Sequence, residues 1–176
     1  MIQAERRTPS AEMIPAEPGA GRPEMPKDYG VPESEEGLLP WSHVTERLSK
    51  AMNYWIGTCR PDGRPHVSPI WGVWLDGFVF FDGSPETRRG KNIAKNSNIT
   101  VNLESGSDVV ILEGIAEDIT PDLDLRTRLS RAYTAKYAES GYSPGPETWE
   151  QGIYRVRPRR VLAWTTFPTD CTRWEF

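Results

Sequence analysis

The sequence predicts a mainly β fold of the α+β class, a small antiparallel barrel with two or three peripheral helices. Three observations carry that reading. Six or seven short runs rich in β-branched and aromatic residues are spread through residues 41–176. Consecutive early runs are joined by tight turns, Pro61-Asp62-Gly63 and Asp76-Gly77, which suit antiparallel hairpins. Only two or three stretches read as helices, and nothing supports a parallel, doubly wound sheet.

The elements follow in order. Ser42 is the expected N-cap of a first helix, with Glu46 early and Val44, Leu48 and Ala51/Met52 on one face. Tyr54 to Cys59 is a strand, ended by Arg60-Pro61-Asp62-Gly63-Arg64-Pro65. In that turn Pro presets φ, Asp bonds locally and Gly takes a positive φ. His66 to Trp74 reads as a second strand. Phe78 to Phe81 reads as a third, apolar on both faces and therefore buried on both. A helix is expected over roughly Pro85 to Lys95, then strands over Ile99–Leu103 and Val109–Ala116. Thr120-Pro121-Asp122 is a helix start, with Thr as N-cap, Pro at the first position and an acid in the first turn. Leu125, Leu129, Ala132/Tyr133 and Lys136 continue that helix at 3.6-residue spacing. Ser140 to Glu150 holds too many breakers for either element. Gly152–Arg157 and Arg160–Trp164 close the set as strands.

Residues 1–37 read differently from the rest. Residues 1–40 carry four Lys/Arg against eight Asp/Glu and seven of the 16 prolines, whereas residues 41–176 carry 17 of each charge. The net charge of −4 therefore belongs to the N-terminal segment. With no sustained apolar period, residues 1–37 are expected to be a flexible acidic tail, and residues 38–176 the folded domain. A neutral body lacks the basic surplus of a bulk nucleic-acid binder. The longest apolar runs fall far short of the ~20 residues of a membrane span, and no signal-peptide pattern opens the chain. Cys59 and Cys171 define no disulfide framework. The expected compartment is the cytoplasm, with no membrane partner.

Common catalytic motifs are absent: no G-x-G-x-x-G, no G-x-S-x-G, no H-E-x-x-H. His43 and His66 stand 23 residues apart without a thiolate partner, so no metal site is expected. The segment Asp82-Gly83-Ser84-Pro85-Glu86-Thr87-Arg88-Arg89-Gly90-Lys91-Asn92 is more informative. It runs from a buried strand into a helix start carrying a hydroxyl and three cations, a combination suited to phosphate. Its plain alternative is a solvated basic helix face. Arg155-Val156-Arg157-Pro158-Arg159-Arg160 places Arg155 and Arg157 on one strand face, where the plain reading is solvent exposure.

These pieces occur in a telling order. Asp62-Gly63-Arg64-Pro65-His66-Val67-Ser68-Pro69-Ile70-Trp71 is followed by Asp76-Gly77-Phe78-Val79-Phe80-Phe81, then Thr87-x-Arg89-x-x-Asn92-Ile93-x-x-Asn96, and last Arg155-Val156-Arg157-Pro158-Arg159-Arg160-Val161-Leu162-Ala163-Trp164. Over residues 41–176 this resembles the flavin split-barrel family, which includes pyridoxamine 5'-phosphate oxidase and the deazaflavin-dependent reductases. The resemblance implies an antiparallel six-stranded split β-barrel, a homodimer and a cofactor in the groove between subunits. It implies that Val67, Ser68 and Pro69 line the ring with their backbone, and that Asp82, Thr87, Arg88, Arg89 and Asn92 hold the phosphate. The Pro69-Ile70-Trp71 pattern and the Asn92-Ile93 pair are closer to the deazaflavin branch, so F420 is favoured over FMN. Lys91, Arg88 and Arg155 are then spare cations for that coenzyme's polyglutamate chain. Basic residues of the vitamin B6 oxidases are replaced here by His66 and Trp71, which argues against pyridoxamine phosphate as substrate. The implied function is a cofactor-dependent oxidoreductase acting on a small unsaturated or quinone-like molecule, with solvent, Tyr133 or Tyr137 as the proton source. The alternative is a non-catalytic flavin, F420 or haem carrier on the same barrel. Trp164 and Trp174 are expected to bury aromatic surface across a two-fold interface.

Overall fold

Strict alternation seats the first long ladder. Tyr54, Ile56 and Thr58 turn inward while Trp55 stays exposed, so one face of the run joins the core and the other meets solvent. The computed structural model describes residues 18–176. Its strands are β1 (Gly19–Gly21), β2 (Tyr54–Cys59), β3 (Pro65–Ile70), β4 (Gly72–Leu75), β5 (Phe78–Phe81), β6 (Asn98–Asn102), β7 (Val109–Ile119), β8 (Ile153–Trp164) and β9 (Thr172–Glu175). Its α-helices are α1 (Trp41–Lys50), α2 (Arg88–Ile93) and α3 (Leu123–Tyr137).

All ladders are antiparallel, in the order β1-β9-β8-β7-β6-β2-β3, with β5 joining β4 to β8. Long β8 therefore pairs β7 on one edge, and β5 and β9 on the other at its two ends. Between β3 and β4 the ladder is interrupted and only the chain continues. The sheet is thus an open, split barrel, the expected α+β class.

The expected single strand His66–Trp74 is two strands broken at Trp71. A Cβ at Gly72 would sit 2.7 Å from the Phe80 carbonyl oxygen and 3.3 Å from the Tyr54 ring, so the chain bends where it has no side chain. Helix starts also move. Pro40 precedes α1 without a side-chain cap, which places Ser42 inside the helix. Asp122, not Thr120, caps α3, its carboxylate accepting from Leu125 N at 2.8 Å. The turn at Asp76-Gly77 is as expected, with both residues at positive φ.

Two cores share β5. Val79 and Phe81 pack inward with Tyr54, Ile56, Leu112 and Val156, while Phe78 and Phe80 pack under α3 with Leu129, Tyr133 and Trp149. All four β5 residues are buried, as a run apolar on both faces requires. Trp174 lies 5.5 Å from Trp41 in the barrel core and is 1 % exposed, so it is spent within the chain rather than offered to a partner. No helix among the described residues is long and apolar enough to cross a membrane.

The expected tail divides. Residues 1–17 lie outside the described residues. Residues 18–37 are docked: β1 covers the edge of β9, and Arg22 donates to four carbonyls, those of Ser34 (2.9 Å), Glu36 (2.5 Å), Thr169 (3.0 Å) and Cys171 (3.0 Å). Composition misleads here because the segment is held by backbone pairing and one guanidinium fork, which need no apolar period. Bonds to a charged donor are worth ~1.5–3 kcal/mol each, but water replaces most of these at exposed carbonyls. Arg22→Ala is expected to lower stability by about 2 kcal/mol, read as a lower urea midpoint at unchanged slope; an unmoved midpoint contradicts the clip.

Candidate functional site

The loop from Asp82 to Thr87 and the start of α2 fold tightly on one another. Thr87 caps α2, its Oγ1 accepting from Gly90 N at 3.0 Å while donating to the Ser84 carbonyl at 2.8 Å. The helix spans Arg88–Ile93, shorter than the expected Pro85–Lys95, because the Ser84-Pro85 turn lies across it. A Cβ on Gly90 would stand 2.6 Å from Pro85 Cα, so only glycine admits this crossing. Asp82 is exposed and its carboxylate accepts from Gly83 N at 2.6 Å, which shapes the turn.

Arg89 points inward and is 7 % exposed. Its Nη1 donates to Ser68 Oγ at 2.9 Å, its guanidinium lies 5.3 Å from the Phe81 ring centre, and a Cβ on Gly83 would meet its Nη2 at 2.8 Å. Its Nε is buried without a partner. No carboxylate among the described residues stands within ion-pair distance. Burial pushes the guanidinium below its usual range, and Tyr154 and Asp82 nearby offset this in part. A buried cation with an open donor edge is incomplete, and an anionic oxygen is what completes it. Beside it Asn92, wholly buried, donates to Thr58 Oγ1 at 2.9 Å and leaves its Oδ1 unpartnered.

β3 links this corner to the outer face of the sheet. Ser68 turns in to Arg89, whereas Val67 and Pro69 turn out, Val67 with 61 % exposure. Val67 borders an open groove of about 890 Å³ with Trp55, Cys59, His66, Thr100 and Arg159. A smaller cavity of about 200 Å³ lies between Asp82-Gly83 and Tyr154. The sequence-predicted residues are therefore split: Ser68, Thr87, Arg89 and Asn92 gather around the start of α2, Val67 borders the groove, Pro69 lies exposed on the same side of β3, and Arg88 and Lys91 face solvent. Lys91 pairs with Glu86 at 3.1 Å.

Three expectations change. Arg155 is neither solvent-exposed nor spare: it is 6 % exposed, donates to Glu117 at 2.7 and 2.9 Å and lies over the Phe78 ring at 4.7 Å. Tyr133 donates to the Phe80 carbonyl at 3.2 Å. The Tyr137 hydroxyl accepts from Gly72 N at 2.9 Å and faces the Gly72 and Met52 carbonyls at 2.8 and 2.9 Å. Burial raises both phenols, so each is a neutral structural group rather than a ready proton donor. No group of three or more His, Cys, Asp or Glu side chains among the described residues is arranged to hold a metal. Thr58, the partner of Asn92, is a polar residue of the site that sequence reasoning passed over.

The pyridoxamine 5'-phosphate oxidase family model matches residues 42–165. No curated protein matches the chain in sequence. Among solved structures, the fold is similar to an F420 reductase at 22 % identity, covering 73 % of this chain and 98 % of that one, with TM-score 0.53. It is similar to a FAD-binding protein of Mesorhizobium loti at 17 % identity, 77 % and 93 % coverage and TM-score 0.54. It is also similar to a haem-binding protein of Mycobacterium smegmatis at 17 % identity, 78 % and 59 % coverage and TM-score 0.59.

The loop-on-helix crossing carries a direct test. Gly90→Ala drives a methyl into Pro85 backbone and is expected to cost ~1–3 kcal/mol, whereas Ala94→Gly on the exposed end of the same helix costs ~1 kcal/mol or less. Equal thermal midpoints for Gly90→Ala and wild type would show that the crossing is not tight.

Proposed function

Because the chain belongs to the pyridoxamine 5'-phosphate oxidase family, we propose that it is an oxidoreductase that binds F420, or else FMN, and acts on a small unsaturated or quinone-like organic molecule. The observation that carries this reading is Arg89, buried, without a carboxylate, and tied through Ser68 to β3. A phosphate on the cofactor supplies the missing anion. Arg89 would hold it through its fork, with the exposed Arg88 at the helix start, while Thr87, whose hydroxyl and amide both donate to the Ser84 carbonyl, would act by capping that helix. Asn92 would offer its unpartnered Oδ1 to a hydroxyl or N–H of the cofactor rather than to the phosphate, and Asp82 would act by shaping the turn rather than by touching phosphate. The backbone of Val67, Ser68 and Pro69 would run along the ring. Lys91 is held by Glu86 only in an exposed pair, worth ~0–1 kcal/mol, and is free to exchange that partner for a polyglutamate carboxylate.

When bound, the ring supplies the hydride chemistry. The chain's part is to fix the phosphate, orient the ring and shield it from water. The reading includes a homodimer in the cytoplasm: exposed Trp55 and Val67 on the outer sheet face suit burial against a second copy. The second reading is a carrier without turnover, supported by fold likeness to a haem-binding protein. A reduced, loaded sample separates them, since reoxidation on adding an enone or quinone marks an enzyme and an unchanged spectrum marks a carrier.

The clamp itself is tested by titrating F420 and FMN against wild type, Arg89→Ala and Arg89→Lys. One charge-assisted contact is worth ~1.5–3 kcal/mol, so Arg89→Ala is expected to weaken binding roughly ten- to hundredfold at ~1.4 kcal/mol per decade. Arg89→Lys recovers part of this, keeping the charge but losing the fork. Equal affinities for wild type and Arg89→Ala sink the clamp.

A further inference from the structure

The other cation on an inward-facing helix surface is Lys136, at the bend between β3 and β4. Its Nζ donates to Tyr54 Oη at 2.8 Å and to the Gly72 carbonyl at 3.1 Å. The Tyr54 hydroxyl hydrogen is committed to the Leu48 carbonyl, so Tyr54 serves the lysine as acceptor. Two of three ammonium hydrogens are thus engaged and one is left. Nζ stands 4.6 Å from the Tyr54 ring centre and 5.6 Å from that of Tyr137. Trp71, the residue at the bend, stacks on Tyr137 at 4.7 Å and 11°, meets Tyr142 at a tilt (5.8 Å, 56°) and still keeps 39 % exposure.

We propose that Lys136 and Trp71, the latter backed by the fully buried Tyr137, form a subsite for a planar aromatic ligand bearing an anionic oxygen, the ring packing on the exposed part of Trp71 and the oxygen pairing with Lys136. Aromatic walls around an ammonium favour a flat ligand, and the unpaired charge favours an anionic one. Calling that ligand the substrate rests on the oxidoreductase reading; the subsite does not. Trp71 lies three residues from Ser68, ~10 Å along an extended chain, on the strand expected to carry the cofactor ring. The groups facing Lys136 are Tyr54 from β2 and Tyr137 from α3, both raised by burial and hence neutral near pH 7. With no carboxylate contributing, burial alone brings the ammonium down to about 8. Anion binding at this corner therefore weakens as pH rises through that value.

Calorimetric titration of the full chain, without added cofactor, uses 2-naphthoate and its neutral counterpart naphthalene-2-carboxamide. Wild type is expected to prefer the anion at least tenfold at pH 7, and to lose the preference by pH 9. Lys136→Gln removes the preference and leaves carboxamide binding in place, Lys136→Arg keeps it, and Trp71→Leu weakens both ligands. Arg89→Ala leaves the preference intact, so failure of the phosphate clamp and failure of this subsite are read separately. Equal wild-type affinities, a preference unchanged from pH 7 to 9, or one that survives Lys136→Gln overturns the proposal. The wild-type pH series stands even where a variant fails to fold.

Discussion

One strand serves two ladders, and the arrangement depends on the missing side chain at Gly72. β3 bonds to β2 and β4 bonds to β5, and the chain changes partners across Trp71-Gly72. The Phe80 carbonyl and the Tyr54 ring approach Gly72 too closely for a Cβ. Gly72 keeps its register opposite Phe81, and at the bend its amide and carbonyl take side-chain partners. Tyr137 and Lys136 provide them from α3. The helix is thereby registered against the bend, and its Leu129 and Tyr133 fall onto the outer face of β5. The second core is a consequence of how the first barrel is split.

Two buried cations and one half-buried one show how differently charge is handled. Arg155 is neutralised by Glu117 and shielded by Phe78, so its charge is a closed structural unit. Arg89, buried, and Lys136, half-buried, have no carboxylate partner among the described residues, and both are pushed below their usual titration ranges by desolvation. An uncompensated buried charge opposes folding, so each persists because the surrounding packing fixes it. For Arg89 that packing is the Gly83 and Gly90 crossing; for Lys136 it is the clasp on Gly72. Groups held at such a cost concentrate where ligands bind.

Much of the fold was legible because it is local. The Asp76-Gly77 hairpin, the doubly buried Phe78–Phe81 run and the Thr87 cap all follow from neighbours in sequence. What escaped is long-range. His66–Trp74 keeps its β character through Trp71, so the break at Gly72 is set by Phe80 and Tyr54 rather than by anything beside it. Alternation placed Arg155 and Arg157 on one strand face, but that Arg155 lies inward depends on Glu117, 38 residues earlier. The docking of residues 18–37 was hidden for the same reason: Arg22 bonds to carbonyls nearly 150 residues away. At the site, the hydroxyl and cations at the start of α2 were visible, whereas Ser68 as the partner of Arg89 required the barrel. Lys136 did leave a signal, since it sits in phase with Leu125 and Leu129 on the apolar face of its helix. A lysine there has to find acceptors or stay incomplete, and it does both.

The two incomplete cations are joined by a single stretch of chain. Ser68 contacts Arg89, and four residues later the Gly72 carbonyl contacts Lys136. Between them β3 alternates, so Ser68 faces Arg89 while Val67 and Pro69 turn to the outer side, Val67 onto the open groove. The buried guanidinium stands at one end of this stretch and the aromatic-walled ammonium at the other, with extended backbone in between. Neither end tolerates an independent shift: Ser68 is fixed by its pairing to Ile56, and Gly72 by its pairing to Phe81. The spacing of the two charges is therefore set by the sheet register itself. Rigid strand backbone holds such a spacing better than loops do, which is why the bend that splits the barrel and the geometry of the site are one feature of the fold.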